Sequence, residues 1–509
     1  MDMPGAQKTL AESKYAEIIA GWPYPEYVIK QRILTPEEDE LVRTIIDVLK
    51  KKNSIVYVKF KHLEKEYEEL FKNTFRDEVL LKIPPQAFSK LPKEEEKKQI
   101  VAILGEYISK FPVKNIKWVA EHIANEVFGM GPLEDILEDD DLEEIMVNGE
   151  NLPIFVYHRK IGMCKTNIVL SREKIIETIK KVATWANRKI SEKNPLLDAH
   201  LPNGDRFNAT IPPISVRGPT ITIRKFKQTP FTLVDIIRNG TLPSEVAAFL
   251  WVAVEGFEVA PRNILIAGGA GAGKTTTLNA LLDFIPLDQR IITVEDTKEL
   301  DLPMHENWIP LITRPPTQDT PAVTMNDLLK NALRMRPDRI IVGEVRGAEA
   351  ETLFVAMDVG HQGTMGTLHA NSAREVLIRL RSAPMNVPED LLPLMNLIVV
   401  QHRIRTPSGI VRRVMEVAEV GRMDEQVLLS DIFKWDPRAG KIVRTDVPAH
   451  TIDELAEITG LTKKEINIEI VRRERVIRWA VNHVKNRQEL IKLISAYYSD
   501  PEGVFNAIS

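Results

Sequence analysis

A chain of 509 residues exceeds what one ordinary hydrophobic core organises, so about two to four domains are expected. Its 68 Lys and Arg against 72 Asp and Glu leave no global basic field for nucleic acid, and its single cysteine, Cys164, excludes an intrachain disulfide and a four-cysteine zinc module. With no signal-peptide pattern and no uncharged apolar run of about 18 residues, the sequence reads as a soluble intracellular chain.

Residues 1–30 open polar and then carry Gly21-Trp22-Pro23-Tyr24-Pro25, which predicts an ordered arm rather than a helix. From 36 to 110 the pattern is helical: Leu41, Ile45, Ile46, Val48 and Leu49 share a face, and the charged block 93–98 reads as a solvated turn. A mostly helical domain with a flexible start is therefore expected over 1–112. An α+β domain is expected over 113–227, with a helix at 118–127, a break at Gly129-Met130-Gly131-Pro132, short strands, and one further helix at 171–188. Pro230 follows the strand-like 220–223, which marks 228–235 as a linker. Residues 236–425 alternate apolar strands at 264–267, 291–294, 339–343 and 397–401 with helical stretches, the plan of a doubly wound α/β domain. The apolar runs 246–254 and 391–400 are too short to span a bilayer and read as buried core helices. Strands and then helices fill 426–509, with a faint helix-turn-helix look around Gly460 that reads as packing.

Directly after the first apolar strand of the α/β domain stand Gly268, Gly269, Ala270, Gly271, Ala272, Gly273, Lys274 and Thr275, the complete G-x-x-x-x-G-K-[ST] pattern. Glycines let successive backbone N–H groups converge on phosphates, Lys274 adds a point charge, and the Thr275 hydroxyl can sit on Mg²⁺. A helix opening at Thr276 turns its positive end toward the same phosphates. A nucleoside triphosphate with Mg²⁺ is the expected ligand.

The strand 291–294 delivers Glu295 and Asp296, with Glu299 a turn later. These are expected beside the phosphate loop, where they would hold Mg²⁺ partly through water or orient an attacking water. Strand 339–343 ends in Glu344, with Gly343 where an Asp would usually precede it, so Glu344 is expected to polarise water. His361 and His369 lie in the Gly-rich stretch 360–371 without nearby cysteines. They read as a phosphate sensor or hydrogen-bond relay rather than zinc ligands. Arg206, Arg217 and Arg224 fall outside the α/β domain.

Together these segments resemble the type II/type IV secretion ATPase family. The resemblance rests on the phosphate loop, the acidic Glu295-Asp296-Thr297-Lys298-Glu299, the Ile340-Ile341-Val342-Gly343-Glu344 strand and the histidine stretch from Gly360 to Asn371. It also rests on Leu142-Glu143-Glu144-Ile145-Met146-Val147-Asn148-Gly149 followed by Leu201-Pro202-Asn203-Gly204-Asp205-Arg206, and it covers about 113–423. Arg472-Arg473-Glu474-Arg475 and Tyr497-Tyr498-Ser499-Asp500-Pro501-Glu502 look like the archaeal branch of archaellum and pilus ATPases. Ala270 stands where relatives often have Thr.

The resemblance implies a RecA-like P-loop ATPase domain behind the α+β and helical domains, ATP as its triphosphate, and a homohexameric motor. Such a motor would drive assembly, secretion or rotation of an archaeal pilus-like filament such as the archaellum. It implies a cytoplasmic protein at the inner face of the cell membrane, attached peripherally through a polytopic platform protein, with no nucleic-acid partner. Catalytic roles carry over to Glu344, Glu295, Glu299 and His369, and to Arg206, Arg217 and Arg224 as charge donors in cis or in trans; His361 carries over as a sensor. A nucleic-acid translocase or helicase built on a RecA-like hexamer is the alternative.

Overall fold

The computed structural model describes residues 8–30, 34–51, 55, 58–225, 230–314, 316, 320–406, 409–423 and 426–508. The chain divides into two compact units, 1–227 and 228–509. The start of the expected linker, up to residue 229, lies outside the described residues.

The first unit is organised by a sheet whose strands are β1 (Thr9–Glu12), β2 (Ala16–Ile19), β3 (Glu26–Ile29), β4 (Leu142–Val147), β5 (Pro153–His158), β6 (Gly162–Val169), β7 (Leu196–His200), β8 (Arg206–Thr210) and β9 (Thr220–Arg224). Their order is β1-β2-β3-β6-β5-β4-β9-β8-β7. The expected N-terminal arm is thus three strands, and β3 adds in parallel to β6 through Glu26 opposite Lys165 and Tyr27 opposite Thr166. Alternation explains the difference: Ala16, Ile18 and Tyr27 turn inward and are buried in the core of this sheet. The buried Tyr27 hydroxyl donates to Asp139 at 2.5 Å. The proline-rich 21–25 stretch is only the turn between β2 and β3.

Helices Pro36–Lys51, Lys65–Phe75, Glu94–Ile108 and Ile116–Val127 share a second core around Leu41, Ile45, Phe71, Phe75, Tyr107 and Ile123. The helix expected to open the α+β domain therefore packs with the helices before it, because Val119, Ala120, Ile123, Ala124 and Val127 form one apolar face. Residue 112 separates neither core. Lys181 joins the two layers: its buried ammonium donates to the carbonyls of Val127 at 2.7 Å and Gly129 at 3.0 Å, satisfying orphan groups at that helix's end.

In the second unit the strands are β10 (Ile264–Gly268), β11 (Ile291–Glu295), β12 (Trp308–Ile312), β13 (Arg339–Val345), β14 (Met365–Leu368), β15 (Leu397–Thr406), β16 (Gly409–Met423), β17 (Gln426–Asp436) and β18 (Lys441–Arg444). Their order is β12-β11-β13-β14-β10-β15-β16-β17-β18. The run from β12 to β15 is parallel, and β15 to β18 pair antiparallel. Near-continuous apolar strands such as Ile264–Ala267 are buried on both faces by helices, as a parallel sheet requires. This is the α/β plan read from the sequence.

No core boundary falls at 425, since β17 and β18 extend the same sheet and the last helices enter the same core. Helix Lys463–His483 buries Ile466, Ile470, Val476 and Ile477, which gives the segment after Gly460 a packing role. Its Arg473, 4% exposed, bonds Glu255 and Glu469 at 2.9 Å each, so that a buried cation is fully charge-paired. The apolar stretch 391–400 is not a helix. Pro393 confines Glu389–Leu394 to a 3-10 turn, and β15 begins at Leu397.

Candidate functional site

Four parallel strands bring chemistry-bearing residues to one edge of the second sheet. β10 leads into the phosphate loop, β14 into His369, β13 carries Glu344 near its end, and β11 ends in Glu295. In the loop, Gly271 and Gly273 have φ of +68° and +92°, a region that β-carbons resist, and Lys274 opens helix Lys274–Leu281. A β-carbon on Gly268 would come within 2.3 Å of the Gln401 carbonyl. The cradle is therefore possible only with glycine at these places.

The loop is held from behind by β15 and β16. Gln401 accepts from the Thr277 hydroxyl at 2.7 Å and donates to the Ala272 carbonyl at 2.7 Å, both inside the core. The Arg412 guanidinium donates to the Gly271 carbonyl at 3.0 Å. Neither was singled out in the sequence, although a glutamine ending the apolar run Ile398, Val399, Val400 is a signal, because a buried polar group needs partners.

Lys274 is 7% exposed, and its ammonium lies 3.3 Å from the Gly269 carbonyl and 3.3 Å from Nδ1 of His369. Nε2 of His369 stands 2.8 Å from Oε1 of Glu344. Lys274 is nearly as close to Nε2, at 3.4 Å, as to Nδ1, and Oε1 of Glu344 has no aligned hydrogen bond among the described residues, so these are close polar contacts that fix no tautomer. Burial, followed by the Lys274 charge, holds the His369 pKa below its ordinary value, so the ring is neutral at neutral pH. Burial alone would raise the Glu344 pKa. The Arg346 guanidinium, which grips Oε2, outweighs it and keeps the carboxyl below its ordinary value.

Arg346 was also missed in the sequence, and here too a signal exists: two residues after Glu344 on an extended segment, it falls on the same face. Its other nitrogen lies 3.4 Å from Asp296, whose second oxygen accepts from Thr313 at 3.1 Å. Lys274, His369, Glu344, Arg346 and Asp296 thus form one continuous polar chain.

Glu295 and Asp296 are not beside the phosphate loop as expected, because β13 and β14 lie between β11 and β10. The crossover from β10 to β11 passes two strand positions that later segments fill. Glu295 is 2% exposed, and its Oε1 accepts the backbone N–H of Glu299 at 2.9 Å and Leu300 at 3.0 Å, closing the turn after β11. Burial pushes its pKa up to about 7, and Oε2 has no hydrogen-bond partner among the described residues. This packing explains Gly343, since a β-carbon there would meet Glu295 Cγ at 2.9 Å. Asp is excluded at that position by Glu295. The half-buried Glu299 lies in the turn that Glu295 closes.

His361 is not at the site. It precedes β14, whose approach pairs with the start of β10 through the Ile264 N–H and the Thr364 carbonyl, while the phosphate loop follows the other end of β10. A strand of this length separates the two edges by about 15 Å. The reading of His361 as a phosphate sensor is corrected accordingly: a Gly-rich stretch spanning a whole strand puts its two histidines at opposite edges.

In the first unit, Arg206 on β8 and Arg224 on β9 stand directly opposite one another. Arg217 lies in the connection at the far end of that hairpin, roughly 14 Å along the strands. The structure therefore unites two of the three arginines and separates the third. On its other side Arg224 stands opposite Glu144 of β4, so the row Arg206, Arg224, Glu144 already carries a carboxylate.

A family model described as type II/IV secretion system protein matches residues 129–495. An uncharacterized protein of Methanocaldococcus jannaschii is 55% identical over 239 residues, 46% of this chain and 33% of that protein. A second from the same organism is 36% identical over 64% of this chain and 58% of its own length. The chain thus spans about a third to a little over half of these two relatives. The type IV secretion system protein VirB11 of Bartonella henselae is 33% identical, covering 50% of this chain and 79% of that protein. Among solved structures, the VirB11 ATPase of the Brucella suis type IV secretion system, crystallised with sulphate, is 31% identical with a TM-score of 0.29. That match covers 57% of this chain and 92% of the other.

Proposed function

The chain belongs to the type II/IV secretion system protein family, and we propose that it is an ATPase motor subunit that hydrolyses ATP at the edge formed by β10, β14 and β13. The observation that carries this reading is the convergence of Lys274, neutral His369 and ionised Glu344 beside an open glycine cradle. Lys274 and the loop amides bind the phosphates, Glu344 orients the attacking water, and His369 links phosphate binding to the glutamate.

The residues fit a magnesium ion. Thr275, half-buried in the first turn of its helix, would supply a hard oxygen ligand of the kind magnesium takes beside phosphates. Bound with ATP, the ion would neutralise charge on the phosphates. Glu295 ends β11 and Asp296 follows it, with two strands between them and the loop, so neither is placed to ligate the ion directly, and Glu295 supports its own turn.

The motor is a homohexamer that serves an archaeal pilus-like filament such as the archaellum. It is cytoplasmic and reaches the membrane face through a polytopic platform protein. The 55% identity to a Methanocaldococcus jannaschii protein supports the archaeal branch alone, and the choice of filament rests on the resemblance of segments 472–475 and 497–502. No helix among the described residues is long and apolar enough to cross a membrane.

Magnesium-dependent ATP turnover by the purified chain tests the reading. The rate is expected to be indifferent to added polynucleotide and only weakly salt-dependent. Strong stimulation with a steep salt slope would instead identify the nucleic-acid translocase alternative.

Arg206 and Arg224, opposite one another on β8 and β9, are the charge donors of this reading, and alanine at either is expected to lower turnover by about 10²-fold or more while thermal midpoint and ring size stay unchanged. Arg217→Ala is expected to have the smaller effect. Wild-type turnover in all three variants would return these residues to ordinary surface pairing. Mixing an inactive arginine variant with Lys274→Ala chains separates trans from cis action, since a trans arginine can be restored from a neighbour.

A further inference from the structure

We propose that Arg346 is the positioning residue of the hydrolytic site: it sets the aim of Glu344 by tying it to Asp296 at the end of the neighbouring strand. The inference rests on the reading of Glu344 as the water-orienting group and deepens it.

The geometry is specific. Arg346 leaves the end of β13 with its own backbone fixed, because Glu349 accepts the N–H of Arg346 at 2.5 Å and of Gly347 at 2.7 Å. One guanidinium nitrogen grips Oε2 of Glu344, and the other lies 3.4 Å from Asp296. The Glu344 side chain is 19% exposed, against 41% for Asp296 and 52% for Arg346. A pair between exposed side chains contributes about 0–1 kcal/mol, but a mostly buried carboxylate without its cation must reorient or neutralise.

His369 stands 2.8 Å from Oε1 without an aligned hydrogen bond, so the Arg346 contact on Oε2 is the bond that holds the Glu344 carboxylate in place. The fork reaches Glu344 through one nitrogen and Asp296 through the other, whereas a shorter lysine would have to serve both carboxylates from a single nitrogen. Arg346 also links the site to the turn after β11, since Asp296 lies one residue beyond Glu295, which closes that turn.

A double-mutant cycle tests this, with kcat, KM, affinity for a non-hydrolysable ATP analogue and ring size measured for each variant. Arg346→Ala is expected to lower kcat by about 10²-fold, the scale on which misplacing a reacting group acts, with KM and analogue affinity within about twofold. Arg346→Lys should recover part of the lost kcat. In single turnover, adding Arg346→Ala to Glu344→Gln should slow the reaction by less than about threefold, because the residue acts through the glutamate.

Full additivity of the two substitutions, or wild-type kcat in Arg346→Ala, overturns the proposal. If Arg346→Ala fails to assemble, Arg346→Lys carries the same cycle, and its additivity with Glu344→Gln overturns the proposal equally. If Glu344→Gln itself retains wild-type turnover, the underlying reading of Glu344 fails instead, which keeps the two failures distinct.

Discussion

Alanine at Lys274 is expected to abolish ATP hydrolysis, with turnover down at least about 10³-fold and nucleotide affinity greatly weakened, while the protein folds and assembles normally. The magnitude follows from the environment. The ammonium is almost fully buried at the mouth of the glycine cradle, where a charge acts on phosphate oxygens with little screening, and losing one preorganised donor from such a site costs about 10²–10³ by itself. Lys274 also provides the charge that His369 faces, so its loss breaks the chain leading to Glu344. The fold is spared because the ammonium contacts a carbonyl and an imidazole, and Glu344 keeps the Arg346 guanidinium on Oε2 when the lysine is gone. Fluorescent nucleotide titration, turnover and thermal midpoint together check this. Near wild-type turnover would remove the phosphate loop from the chemistry, and a collapsed midpoint would make Lys274 a structural residue.

What could be read in advance divides by the range of the interactions. The phosphate loop, its strand and helix, and the parallel strands of the second unit are local patterns, and Lys274, Glu344 and His369 are indeed brought to one edge. Strand order is not local. Nothing in Ile291–Glu295 says that two later strands insert between it and β10, so Glu295 was expected next to phosphate when it supports a turn.

The same limitation hid the N-terminal strands. Their partner β6 lies well over a hundred residues downstream, and only the alternation of Ala16 and Ile18 hinted at a buried face. Gly343 marks the reverse case. It appears in the sequence as a departure from the usual Asp, and its cause, the packed Glu295 side chain, exists only in three dimensions. Arg346 and Gln401 were visible as a period-two neighbour and a polar end to an apolar strand, but each acquires meaning only through a partner on another strand.

Glutamine at Glu344 is expected to leave a protein that binds ATP as tightly as wild type and turns it over about 10³-fold more slowly. The amide keeps the shape of the side chain and its contact with β14, so the cradle and Lys274 are undisturbed. What disappears is the negative charge, and with it the group that orients water and accepts its proton, a contribution of about 10²–10⁴ in rate. Two neighbours make the loss specific. His369 only stands close to Oε1 and can face an amide equally well, whereas Arg346 would face either an amide oxygen without charge or an N–H that it cannot bond. Because Arg346 is half exposed, its freed guanidinium can turn to water, so the stability cost should stay near 1 kcal/mol rather than the several expected for a fully buried orphaned charge. Single-turnover hydrolysis and equilibrium binding of labelled ATP, measured on the same preparation, separate the outcomes. Tight binding with slow hydrolysis supports the water-orienting role. A parallel collapse of affinity would place Glu344 in phosphate or metal binding, and unchanged turnover would move the catalytic carboxylate elsewhere along the same edge, with Glu299 the first residue to test.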